Sequence, residues 1–343
     1  MPRVKLSNPG KESPNKALKN GLPKSIKSAL QTVDLIGKIH SRSLKLMGNQ
    51  FTFTVVSSDP DFAAQQIELA IAEVSRIEKL LTTYSPESQT NQINENAGLR
   101  PVKVDAEVFG LIERSIAISK LTQGAFDISY GSIDKSLWNF DTKMTSLPDR
   151  ATAKKMTYLI NYNNIILDKA DSTVFLKEKG MRIGFGGIGK GYAAEMARKL
   201  LVANNVHSGI INAAGDLTTW GFQPNGKRWT VGIANPDLPA SAFSYLEISD
   251  MAVATSGTYE KFAIIDGKKY SHTINPKTGM PVSGIKSVTI IHKNAEFADA
   301  MATPVSIMGI SAGLDLIDQI PGMYCIIIDD HNKIYTSKNI NLK

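Results

Sequence analysis

Two apolar periods run through this chain, and they do not alternate regularly. A period of two makes Gln50 to Ser57 (QFTFTVVS) a half-buried strand. A helical period follows, in which Asp59 and Pro60 open a segment whose Ile67, Ala70, Ile71, Val74, Ile77 and Leu81 fall on one face. LTTYSPESQTNQINENAG reads as a polar loop, and Val104 to Leu121 as a second amphipathic helix stopped by Gly124. A helix is expected over Ala151 to Tyr158, then two or three short strands in YNNIILDKADSTVFLKEKGMRIGF. Gly191 to Asn204 is the third long helix, and SGIINAAGDLTTWG a strand leading out of it. From Trp229 onward the pattern is mostly β, interrupted by a helix around Asp299 and another at Ala312 to Ile320. With no fixed repeat and no strict βα alternation, the reading is an α+β fold rather than a doubly wound sheet.

Charge divides the 343 residues unevenly. The formal net charge is +7, but residues 1–49 carry ten Lys/Arg against Glu12 and Asp34, so the remainder is close to neutral. The first 24 residues combine Lys5, Lys11, Lys16, Lys19 and Lys24 with prolines and no aromatic, too little apolar surface to offset ordering entropy. The expected organisation is a basic, disordered tail over residues 1–43 and one folded body over residues 44–343, beginning near Leu44. A neutral body argues against nucleic acid as a partner.

The apolar run from Ile26 to Ile39 is broken by Lys27, Asp34 and Lys38, so neither a signal peptide nor a membrane span is expected. As the sequence stands the expectation is cytoplasmic, or periplasmic or membrane-associated if the native N-terminus differs. The lone Cys325, in MYCIIIDD, reads as a small buried hydrophobe.

Chemistry-bearing residues concentrate in two places. Between Thr255 and Thr303 lie ATSGTYEKF, KKYSHTINPKTGMPVSG and FADAMAT. Asp299 and Thr303 are four apart in a helical stretch, which puts two hard oxygens on one face, an arrangement suited to Mg2+. The alternative is that Asp299 caps the helix while Thr303 bonds back to a carbonyl. RIGFGGIGKG, residues 182–191, breaks a strand-like run just before a helix, where amides and glycines admit a phosphate and Lys190 adds a cation; a tight turn alone is the alternative. Gly184, Gly186 and Gly189 mimic a dinucleotide fingerprint without its βαβ context, and the P-loop pattern fails at Gly191.

Together, LTTYSPESQTNQIN, GAFDIS, GGIGKGYAAE, INAAGDL, VATSGTYEKF, YSHTINPKTGMPV and ADAMAT resemble the ApbE family, the FAD:protein FMN transferases, in family order and from about Leu44 to the C-terminus. The resemblance implies a T-fold-like α+β enzyme that uses Mg2+ to cleave FAD. It would join FMN to a Thr or Ser of a separate acceptor redox protein and release AMP. By the same resemblance, Asp299 and Thr303 are side-chain Mg2+ ligands, with the carbonyls of Gly187 and Ala302, and Lys190 meets the FAD phosphates. Met47, Tyr84, Ala125, Phe126 and Asp127 are implied flavin and adenosine contacts, with His272 beside the reacting phosphates as base or as hydrogen-bond partner. Asn212 and Asp216 would organise the site wall, with Ala214 replacing a family glycine. Gly184 stands where most members have Asp, removing a carboxylate near the ligand. That loss keeps two other readings open, an FAD-binding protein without turnover and an FAD pyrophosphatase.

Overall fold

The computed structural model describes residues 4–7, 37–133, 135–138, 144–234, 236–237, 242–257, 262–338 and 340–341. Most of the expected N-terminal tail, residues 8–36, and part of the ATSGTYEKF motif, residues 258–261, lie outside the described residues.

In chain order the elements are β1 (Val4–Ser7), β2 (Lys38–Leu46), β3 (Asn49–Ser57), α1 (Pro60–Leu81), α2 (Gln89–Glu95), β4 (Val102–Lys103) and α3 (Ala106–Leu121). Next come α4 (Arg150–Lys155), β5 (Ile165–Asp168), β6 (Thr173–Leu176), α5 (Gly189–Ala203), β7 (Gly209–Ala213) and β8 (Asp216–Trp220). The remainder is β9 (Trp229–Ala234), β10 (Ala242–Ile248), β11 (Ala252–Gly257), β12 (Phe262–Ile265), β13 (Lys268–Ser271), β14 (Ile285–His292), α6 (Ala295–Met308), α7 (Ile310–Ile317), β15 (Tyr324–Asp329), β16 (Ile334–Thr336) and β17 (Ile340–Asn341).

An eight-stranded antiparallel sheet, ordered β16-β15-β14-β11-β8-β7-β3-β2, is the centre of the fold. Helices α1, α5 and α6 cover one face, and the four-stranded sheet β17-β1-β10-β9 covers part of the other. Alternation along the central strands serves both layers: Cys325 and Ile327 face the helices, whereas Tyr324 and Ile326 face the second sheet. This accounts for an all-buried β15, whose sequence shows no polar face. The α+β reading therefore holds, with antiparallel pairing in place of βαβ crossovers.

Helix α1 buries the residues its period marks, including Ile67, Ala70, Ile71, Val74, Ile77 and Leu81, and Asp59 caps it by accepting from the Asp61 and Phe62 amides. Three expectations change. The presumed polar loop after Leu81 holds α2, because Asn94 is buried with its amide clasping both backbone groups of Ile183, at 2.7 and 3.0 Å. The single strand expected over SGIINAAGDLTTWG is the β7–β8 hairpin, turned at Ala214 (φ 55°) and Gly215 (φ 101°). The boundary at Leu44 falls inside β2, which pairs with β3 from Lys38 onward, since exposed polar residues suit a sheet edge. Val4–Ser7 also forms a strand, paired with β10 and β17.

Candidate active site

Helix α5 and helix α6 meet at a glycine. A β-carbon at position 191 would lie 2.3 Å from the Ala295 carbonyl oxygen and 2.6 Å from Asp299 Cβ, so only glycine allows this approach. The Gly191 N–H donates to Asp299 Oδ2 at 2.8 Å. Two residues of α5 brace the contact. Buried Glu195 accepts from the Ala295 amide at the start of α6 (3.2 Å) and from Arg198 (2.6 Å). Tyr192 donates to Glu107 on α3 at 2.6 Å, and burial together with that carboxylate pushes its phenol well above the ordinary value.

Immediately before this contact in the chain, Lys190 reaches toward the β7–β8 hairpin. Its ammonium pairs with Asp216 Oδ2 and stands 4.0 Å from Asp299 Oδ1. Asp216 is held from its other side by the Thr255 amide at 2.9 Å, and Asn212 accepts from the Gly215 amide at 2.7 Å. These groups surround a cavity of about 210 Å³ whose wall includes Gly187, Lys190, His272, Asp299, Ala302 and Thr303. The separate segments between Thr255 and Thr303 thus converge with the glycine-rich segment at one place. Gly186, Thr255, Ser256 and Gly257, from the segments the sequence singled out, also line it, as does Asn49, whose role carried no local signal in the sequence.

Two carboxylates share one ammonium, which leaves the cavity one negative charge in excess and receptive to a cation. Asp299 Oδ2 is taken by Gly191, while Oδ1 is beyond hydrogen-bond reach of Lys190. No cluster of three or more His, Cys, Asp or Glu able to hold a metal occurs among the described residues. A cation here must therefore use mixed oxygen donors, one carboxylate with a hydroxyl and carbonyls, and that donor set fits Mg2+ rather than Zn2+.

Residues 47–327 match the ApbE family. The chain belongs to the ApbE family. A relative called FAD:protein FMN transferase from Klebsiella pneumoniae (strain 342) is 32% identical over 308 residues, covering 89% of this chain and 94% of the relative. One of the same name from Treponema pallidum (strain Nichols) is 29% identical, covering 88% and 87%. Among solved structures, the ApbE protein of Thermotoga maritima superposes with a TM-score of 0.78 at 28% identity, covering 88% of this chain and 97% of that one. The apo flavinyl transferase ApbE of Pseudomonas stutzeri, at 22% identity and a TM-score of 0.77, shares the fold.

The remaining expected contacts of this ApbE-family chain are spread more widely. Met47 adopts φ 50° in the β2–β3 turn, and its methyl lies 3.5 Å from where a Gly189 β-carbon would be. Phe126 is buried with its ring 3.7 Å from the corresponding position at Gly187, and Ala125 is buried beside it. Gly184 donates its N–H to the Ile128 carbonyl and lies near Thr83. Tyr84 is 96% exposed. Asp127 lines a second cleft, of about 430 Å³, together with Lys154 and Lys277. Its carboxylate accepts from the Ser129 amide and hydroxyl and from the Tyr162 amide, and burial holds its carboxyl above the usual range.

Proposed function

We propose that this ApbE-family chain transfers FMN from FAD to a Thr or Ser hydroxyl of a separate acceptor protein, a redox protein by family resemblance, and releases AMP. The observation that carries this reading is the cavity in which Lys190 stands between two carboxylates, beside the glycine-rich segment and one face of α6. The names of the relatives support the same activity.

At about 210 Å³ the cavity is below the size of a typical whole-ligand site, so it suits the pyrophosphate, with flavin and adenosine lying along the surface toward Met47, Phe126 and Tyr84. In the reaction the acceptor oxygen bonds to the FMN-side phosphorus, the bridging P–O bond breaks, and AMP departs with the bridging oxygen. The hydroxyl proton passes to His272 or to water. Lys190 exchanges Asp216 for a phosphate oxygen and holds the leaving side in line. Asp299 and Thr303, with carbonyls of Gly187 and Ala302, would hold Mg2+, which when bound neutralises charge on the phosphate oxygens.

The test combines the purified protein with FAD, Mg2+ and a flavin-acceptor domain bearing the family's threonine run (Asp-Gly-x-Thr-Gly-Ala-Thr), reading acceptor mass and AMP together. Acceptor gaining FMN with matching AMP is the expected result. AMP without modified acceptor would indicate a pyrophosphatase, and tight FAD binding with neither product a flavin-storage protein.

A further inference from the structure

Residues before and after the β12–β13 hairpin in the chain line the same cavity. Ser256 and Gly257, at the end of β11, precede it in the chain, His272 follows it directly, and all three line the cavity wall. The hairpin turns at Asp266 (φ 51°) and Gly267 (φ 74°) and pairs Phe262 with Ser271 and Ile264 with Lys269. Cross-strand partners point to the same side, so Phe262, Ile264 and Lys269 share one face.

Two observations separate that face from an incidental patch. The opposite side is anchored, with Ala263 and Ile265 at 7% and 5% exposure, so the pleat holds Phe262 and Ile264 outward at 39% and 62%. Lys269 then sits over the Phe262 ring at 3.9 Å, adding a cation to the apolar surface. The hairpin thus presents two exposed apolar side chains and a lysine together on one face. FAD reaches such a cavity as a small molecule, but an acceptor hydroxyl arrives with a whole protein surface around it, and the hairpin is joined at both ends to segments that line this cavity.

We propose that the outer face formed by Phe262, Ile264 and Lys269 is the docking surface for the acceptor protein, matching an apolar patch flanked by carboxylates beside the hydroxyl to be modified. This rests on the transferase reading above. The decisive variant is Ile264→Asp, with Ile39→Asp as control, since Ile39 is 51% exposed on the edge strand β2, outside the cavity wall.

With the acceptor domain named above, Ile264→Asp should raise the KM for acceptor at least about tenfold, while kcat and FAD affinity stay within about twofold of wild type. An unchanged acceptor KM, or an equal rise in Ile39→Asp, overturns the proposal. Direct binding of the same domain to immobilised protein separates this from failure of the transferase reading. If wild type transfers no FMN but binds the domain, about tenfold weaker binding by Ile264→Asp still supports the surface, and equal binding or no wild-type binding refutes it. Should Ile264→Asp lower the melting temperature, Ile264→Ser and Phe262→Ala, measured the same way, decide the question.

Discussion

The cleft beside Asp127 has about twice the volume of the cavity beside Lys190, yet the smaller one gathers the residues that the proposed transfer uses. In the larger cleft the carboxylate and several other polar groups are occupied with the protein itself. Both oxygens of Asp127 accept internal bonds, Lys154 donates to the Lys277 carbonyl, and Thr157 donates to the Lys154 carbonyl. In the smaller cavity one oxygen of Asp299 stands outside hydrogen-bond reach, and a single ammonium serves two carboxylates. Polar residues that build a wall complete their hydrogen bonds with neighbours, whereas those that bind a ligand keep capacity in reserve. Size alone would have favoured the larger cleft.

The sharpest way to break this contrast is Asp299→Ala. It should lower Mg2+-dependent FMN transfer by at least about 10²-fold, with the far-UV spectrum unchanged, because the carboxylate proposed to hold the metal is gone. Full activity in that variant would sink the metal assignment. Gly191→Ala comes next. A methyl 2.3 Å from the Ala295 carbonyl must push α6 and Asp299 away, so stability should drop by about 1–3 kcal/mol and half-saturation should need more Mg2+. Thermal melts and a Mg2+ titration of activity would show both, and an unshifted titration would mean that α6 tolerates the displacement.

Asp127→Asn sharpens the other side. An amide cannot accept on both atoms, so one buried N–H of Ser129 or Tyr162 loses its partner, at about 1–3 kcal/mol of stability. The loss should appear in the melting temperature far more than in kcat; a large fall in kcat with an unchanged melt would put Asp127 among the reacting groups. The smallest effect is in its pH dependence. Burial raises the folded carboxyl above 3.8, so wild type's advantage over Asp127→Asn is fullest below that value and shrinks as pH rises through the raised pKa. Paired melts across the acidic range would measure it, and a parallel pair of curves would contradict the shift.

Much of this was legible in the residues, and the exceptions have a common cause. The period of α1 named its buried face, and the four-residue spacing of Asp299 and Thr303 named their shared face on α6. The stretch after Leu81 reads as a loop because Thr90, Asn91 and Asn94 are polar yet buried, satisfied by hydrogen bonds, those of Asn91 and Asn94 reaching Arg182 and Ile183 far along the chain. A hydrophobic period cannot register a residue that is buried through its hydrogen bonds. The β7–β8 turn was missed because Ala214 occupies a left-handed position that usually signals itself with Gly or Asn.

The sequence by itself determined the α+β composition, the core faces of the helices, and which residue types would carry phosphate chemistry. Only the tertiary structure decided which oxygens stay available. Lys190 finds Asp216 across 26 residues and Gly191 finds Asp299 across 108. Periodicity records how each segment meets the core, over a few residues at a time. The pairing of groups so far apart depends on how closely α5 packs against α6 and against the β7–β8 hairpin, which is a property of the assembled layers.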